Sequence, residues 1–367
     1  MLTIISDTNY LCTNYIPLFF SSSAKKESFL FFDIETTGLN HKNSFLSMIG
    51  AAVPKEGAIK LYQFLAEKET PEEEQALLLA FTDLCREKTG FIHFNGSTFD
   101  LPYLRHKYRE YAMDCPLENK GSLDLYRELR PLSTLFPLPD FRQKSLESLV
   151  GYKRKDRLNG KELIKVYHSY ANSGNSSEKE LLLLHNHDDV EGMLALTALG
   201  VILACLRGQF TLEHTESLQS KTLDNQILQE ILFRLLLPAA LPVPLSFSKN
   251  GAYITIQENI CKIKMPLLEG TLKYFYPDYK NYYYLPMEDE AVHKSVGIYV
   301  DREYRENAKA SNCYKRISGF FLKAAGSPSL PLFKESYEKK EIYIQWSEDF
   351  RHSTSIQEEF LKSFLSS

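Results

Sequence analysis

FLFFDIETTGLN, residues 29–40, is the stretch on which the fold turns. Phe29, Leu30, Phe31 and Phe32 make an unbroken apolar run, the pattern of a strand covered on both faces. Asp33 and Glu35 follow two apart, and in an extended chain such residues share a face, so two carboxylates stand side by side. Thr36, Thr37 and Gly38 then end the strand in a turn. Adjacent carboxylates are costly unless a proton or a cation compensates them, and hard oxygen ligands suit Mg²⁺ or Mn²⁺. An isolated Asp-x-Glu more often alternates into solvent at a strand edge. The apolar run before this one, and two acidic motifs downstream, make it a candidate metal site.

Working outward, residues 45–53 and 58–65 read as two more strands joined by a turn at 54–57, which makes a three-stranded antiparallel meander. Pro71 followed by Glu72, Glu73 and Glu74 starts a helix that runs to about Lys88, with Gly90 past its end. Residues 91–95 form a fourth strand and 99–111 a helix, with a fifth strand at 122–125. Helical stretches over 144–150 and 160–170 precede a long helix, 178–206, capped by Ser177 with Glu180 and apolar on more than one side. Strands alternating with helices after a meander define an α/β unit with a mixed sheet. Residues 1–27 are expected to be an accessory segment with an edge strand at 2–5, and residues 207–223 a polar linker. Beyond the linker, a helix over 224–237 stopped by Pro238 leads into short strand-like runs from Pro242 onward, a second, smaller and mainly β domain spanning 224–367.

The second acidic motif is HFNGSTFDLPYL, residues 93–104, in which a strand ends at Asn95 and Asp100 falls in the first turn of a helix. Taken alone, Asp100 reads as a simple first-turn acid. The third is LLLLHNHDDVEGMLAL, residues 181–196, where His185 and Asp189, four apart, share one helical face and are too polar to bury unpaired. Together the motifs have a chemical sense that none has alone. Two divalent ions held by four carboxylates, beside a histidine able to take a proton from water, suffice for phosphodiester hydrolysis.

DIETTGL, FNGSTFD and HNHDDV, in this order and spacing, resemble motifs I, II and III of the DEDD exonuclease superfamily, and more closely its YprB-like branch of ribonuclease H-like proteins. The resemblance spans residues 28–205 and implies a ribonuclease H-like mixed sheet flanked by helices, an exonuclease domain over 28–206 that removes nucleotides from a 3′ end of DNA or RNA with two Mg²⁺ or Mn²⁺ ions. By position it implies that Asp33 bridges both metals, that Glu35, Asp100 and Asp189 complete the cage, and that His185 is the base. It further implies that Thr36, Thr37, Leu39 and Asn95 contact substrate. Motif III departs from the pattern: the superfamily has a Tyr three residues clear of the Asp or a His four residues clear, and His185 has the chemistry of one with the spacing of the other. Asp188 competes with Asp189 as the ligand, and Asp189 is preferred because it precedes Val190 as the motif's Asp does; His187 reads as a solvent histidine. A binding protein on the same fold without turnover is the alternative.

Composition limits the classes further. At 367 residues the chain exceeds a usual single domain, and with a formal net charge of −4 it cannot hold nucleic acid by bulk charge. Contacts must be local, and the cluster Arg142, Lys144, Lys153, Arg154, Lys155 and Arg157 is the densest basic run of the first domain, either facing a substrate backbone or forming a solvated loop. Asp124 is either an acid behind the site or a turn aspartate. The run 273–284, rich in Tyr and Lys, is either a single-strand platform or a small core. Six dispersed cysteines without metal spacing, no basic leader and no apolar run of about 18 residues give the expectation of a cytoplasmic protein with no membrane contact.

Overall fold

The computed structural model describes the chain except residues 9, 11–13, 20–27, 56, 57, 222–224, 226 and 327. Cys12, much of the accessory segment and the tip of the turn expected at 54–57 lie outside the described residues. The chain forms two compact units, one of Met1–Leu203 with Ala239–Val243 and one of Ala204–Pro238 with Pro244–Ser367.

In the first unit the strands β1 (Leu2–Thr8), β2 (Phe29–Thr36), β3 (Leu46–Lys55), β4 (Ala58–Leu65), β5 (Gly90–His93) and β6 (Gly121–Asp124) form one sheet in the order β1-β4-β3-β2-β5-β6. β1, β4, β3 and β2 run antiparallel to their neighbours, whereas β5 pairs parallel to β2 and β6 parallel to β5. The meander expected from sequence is present, extended by β1 on its outer edge. The helices are α1 (Pro71–Cys85), α2 (Asp100–Glu110), α3 (Leu125–Leu129), α4 (Gln143–Glu147), α5 (Gly160–Ser173) and α6 (Ser176–Leu196). Thr70 caps α1 by accepting the Glu73 N–H, with Pro71 and three acids in its first turn. Its buried Leu77, Leu78 and Phe81 join Leu30, Phe32 and Ile34 of β2 in the main core, where Phe32 meets Phe81 at 5.3 Å and Phe91 at 5.9 Å between ring centroids. Because side chains alternate along a strand, Asp33 and Glu35 point to the other face of β2.

That other face is covered by α6, and the contact depends on a glycine. Gly50 of β3 is paired with Asp33 on one side and Gln63 of β4 on the other. Asn186 of α6, fully buried, sits over it; a Cβ at Gly50 would lie 2.3 Å from Asn186 Oδ1. Gln63 Nε2 donates to that same Oδ1 at 3.1 Å and to the Leu183 carbonyl at 2.7 Å, which fixes the helix on the sheet. Gly50→Val will therefore lift α6 at a cost of about 1–3 kcal/mol. A fall in Tm accompanied by loss of activity checks this; an unchanged Tm contradicts it.

Two expectations about α6 are corrected. Asn175, not Ser177, is its N-cap, accepting the Ser177 N–H at 2.9 Å, and the capping box belongs instead to α5, between Asn159 and Glu162. The helix is also not continuous to 206: a tight 3₁₀ turn at Thr197–Leu199 separates it from a helix over Gly200–Leu206. By length and composition Ser176–Leu206 could cross a membrane, but 83% of its most apolar window is buried, as in a core helix.

The second unit is mainly β. Strands β7 (Thr211–Lys221), β8 (Ile227–Leu236), β9 (Leu245–Lys249), β10 (Ala252–Gln257), β11 (Ile260–Phe275), β12 (Tyr282–Leu285), β13 (Glu290–His293), β14 (Glu306–Asn307), β15 (Tyr314–Ala324), β16 (Phe333–Lys334) and β17 (Ile342–Gln345) build an eight-stranded and a three-stranded sheet. The long β11 ties the larger sheet together, pairing β8 and β10 through its first part and β15 through its second. Residues expected as linker form β7, and the helix expected over 224–237 is β8, in which Ile231, Phe233 and Leu235 alternate inward. The Tyr-rich run forms a small core: Tyr276 stacks on Tyr282 at 4.4 Å, and both pack on Ala291, Ala308 and Cys313.

Candidate active site

β2 delivers Asp33 and Glu35 to a cleft of about 630 Å³, and a register irregularity between Glu35 and Thr36 ends the strand there. α2 begins at Asp100, whose Oδ1 accepts the Ile34 N–H at 3.3 Å, so this buried carboxylate is anchored to the peptide between the other two. From α6, His185 Nε2 lies 3.1 Å from Asp189 Oδ2 and 3.6 Å from Glu35 Oε1. Ligand atoms of Glu35, His185 and Asp189 lie within 4.8 Å of one another. The three sequence motifs thus converge on one cleft.

α4 and the loop that follows it add groups that the motifs do not contain. Asp156, nearly fully buried, accepts from His185 Nδ1 at 2.8 Å and so turns Nε2 toward Glu35 and Asp189. Arg154 grips Glu147 with Nε at 2.6 Å and Nη2 at 2.8 Å, and its Nη2 also reaches Asp189 Oδ1 at 2.6 Å. Gln143 Nε2 donates to Glu147 Oε1 at 3.0 Å and to the Asp189 carbonyl at 2.7 Å. Within the basic cluster Arg154 is thus a buried site residue, while Lys153, Lys155 and Arg157 are exposed.

Asp188 points away to hold that loop: its Oδ2 accepts the N–H groups of Lys155 at 2.6 Å and Asp156 at 2.7 Å, and its Oδ1 the Tyr152 hydroxyl at 3.3 Å. Burial raises its pKa, but the donors prevail and hold it down at about 2. His187 stands by Asp188 and Glu191, at 3.8 and 3.9 Å. Asn95, in the left-handed region at φ 59°, lines the cleft and donates its N–H to Asp124 Oδ1 at 2.8 Å; Asp124 is the buried anchor of that turn. The Thr36 hydroxyl donates to the Gly38 carbonyl at 2.9 Å and the Thr37 hydroxyl accepts the Phe45 N–H at 2.8 Å, so both hold the turn after β2. Leu39 is 87% exposed.

The electrostatics call for cations. Burial, then the charges of Asp189, Asp100 and Glu35, push Asp33 well above the usual carboxylate range. Burial likewise lifts Glu35 to about 8, against the opposing charge of His185, and Asp100 to about 7. Burial would lower His185, yet the hydrogen bond and charge of Asp189, with Glu35 and Asp156, raise it to about 9. Asp189 is itself held below its ordinary value, because His185 and Arg154 outweigh its burial. A group of hard oxygen donors crowded together in this way fits a divalent ion, and Asp33, Glu35, Asp100 and Asp189 could hold one.

Asp33, Glu35, Asp100 and His185 all keep their protons to higher pH in the folded chain than in the unfolded one. Their contribution to stability is present at acid pH and is lost as the pH rises through these raised values. The Tm in EDTA is therefore expected to fall between about pH 5 and about pH 8, and Mg²⁺ to raise it more at the upper end. A Mg²⁺ shift independent of pH in differential scanning fluorimetry contradicts this.

The order of strands, the flanking helices and the three acidic motifs make the first unit a ribonuclease H-like domain. In agreement, residues 30–199 match the family model RNase_H_2 of the RNase H superfamily. Among solved structures, the chain is similar to exonuclease I, in the structure said to suggest how processivity is achieved, with 15% identity over 57% of this chain and 54% of that one and a TM-score of 0.33. It is similar also to E. coli exonuclease I in complex with a dT13 oligonucleotide, at 14% identity, 57% and 54% coverage and a TM-score of 0.33. The chain thus spans little more than half the length of the exonuclease I structures it matches. No curated protein matches the sequence.

Proposed function

We propose that the chain is a divalent-metal-dependent nuclease that hydrolyses phosphodiester bonds from the 3′ end of DNA or RNA and releases nucleoside monophosphates. The observation that carries this reading is the pair His185–Asp156, which aims His185 Nε2 at the mouth of a cage of carboxylates from Asp33, Glu35, Asp100 and Asp189. Mg²⁺ or Mn²⁺ held by these four would acidify the attacking water and stabilise the leaving oxygen. His185 Nε2 takes the proton of that water, and Asp156 fixes the ring and stabilises the imidazolium that results. The negative charges that raise His185 are the same ones the cations neutralise, so loading the cage brings the imidazole back toward its neutral, proton-accepting form.

The ion pair Arg154–Asp189 favours a second reading, in which a guanidinium already compensates one carboxylate and the fold binds nucleic acid without turnover. One experiment separates the two: 5′-labelled single-stranded DNA and RNA incubated with Mg²⁺, Mn²⁺ or EDTA. A metal-dependent ladder shortening from the 3′ end supports the exonuclease. Intact strands that are nevertheless retarded in a binding gel support the binding module.

A further inference from the structure

Three aromatic side chains share the cleft with the carboxylates: Phe94 lies in the second acidic motif, and Tyr126 and Phe141 lie outside all three motifs. Phe94 follows β5, Tyr126 lies in α3 and Phe141 precedes α4. Their rings form an edge-to-face series, Phe94 to Tyr126 at 5.7 Å and 80°, and Tyr126 to Phe141 at 5.9 Å and 67°. The Arg130 guanidinium lies 5.8 Å from the Tyr126 ring centre and 5.5 Å from that of Phe141. Unlike Phe32, Phe81 and Phe91 in the core of the same unit, all three rings are only half-buried. Their exposed area faces the cleft that Asp33, Glu35, His185 and Asp189 also line.

Cations stand beside the rings. Arg142, 84% exposed, lines the cleft next to Phe141, and Lys144, 47% exposed, lines it two residues further on, its ammonium paired with Asp156 at 3.2 Å. Arg127 is 64% exposed beside Tyr126. Half-exposed rings flanked by exposed guanidinium groups match a chain of alternating flat bases and phosphates: rings take the π faces, cations the charges. In a duplex the faces of the bases are covered by their neighbours, so only an unpaired base can offer one to such a wall.

We propose that Phe94, Tyr126 and Phe141, with Arg130 and Arg142, form a stacking platform that takes unpaired nucleobases of a single-stranded polynucleotide entering the cleft. The proposal deepens the nuclease reading and rests on it. The platform makes the enzyme a reader of strandedness, indifferent to base identity because every base has a π face.

The test is fluorescence anisotropy, with Ca²⁺ in place of Mg²⁺, using a labelled single-stranded oligonucleotide and an abasic strand of the same length and charge. The wild type is expected to prefer the strand with bases about ten-fold or more, and Tyr126→Leu with Phe141→Leu to bring that ratio to about one. Tyr126→Phe with Phe141→Tyr, which keeps both rings, is expected to retain the preference. A ratio unaltered by removing the rings, or a wild type that binds both strands equally, overturns the platform. If such a wild type still degrades oligonucleotides in Mg²⁺, the platform alone fails; if it neither binds nor degrades them, the nuclease reading fails with it.

Discussion

Asp33→Asn will lower metal-dependent phosphodiester hydrolysis by about 10³-fold or more, because the carboxylate it removes is one of the four proposed to hold the cations, and metal stabilisation of such a transition state amounts to several kcal/mol. The same change will raise the Tm of the metal-free protein at about pH 8. Asp33 is held far above its ordinary pKa by burial and by Asp189, Asp100 and Glu35, so ionising it opposes folding. The isosteric amide removes that charge and leaves the β2–β3 pairing with Gly50 untouched. Activity down and stability up together are the signature of a residue kept for chemistry at the expense of the fold. A variant that retains activity, or loses it only by unfolding, contradicts this assignment.

The second large effect is expected at the histidine and its partner. His185→Ala will reduce the rate by about 10²–10⁴-fold, the usual contribution of a positioned general base. Asp156→Asn will act through His185: with one of the negative charges that raise the imidazole gone, the acidic limb of the pH–rate profile will move to lower pH and the plateau will fall. A purely structural aspartate would lower the plateau and leave the limb in place. The pH dependence of single-turnover hydrolysis distinguishes the two roles.

The sequence made most of the ribonuclease H-like unit legible, since its strands are apolar runs bounded by turns and its helices carry starts such as Thr70-Pro71. The convergence of Asp33, Glu35, Asp100, His185 and Asp189 was readable because Asp33 and Glu35 share a strand face, His185 and Asp189 share a helix face, and the three motifs resemble a known ordered set. Arg154 and Asp156 were not, because they reach the site only through the packing of a loop, which has no periodicity, and Glu147 was not, because it enters through Arg154; an acid inside the run KRKDR was the sole hint. The strand β8 was misread for a different reason. ILQEILFRLL is rich in helix-forming Leu, Gln and Glu, and pairing with β7 and β11 overrides that local preference. The cap of α6 moved because Asn175, two residues earlier, accepts the N–H of Ser177 itself.

Within five consecutive residues of α6, His185 and Asp189 face the cleft, Asn186 faces the sheet and Asp188 faces the loop it ties. The helix is therefore phase-locked. Inserting or deleting one residue ahead of His185 rotates everything after it by about 100° relative to what precedes it, and no compensating rotation restores one contact without losing the others. Within the helix a change of length by a single residue dismantles the base, the docking and the loop anchor in one step.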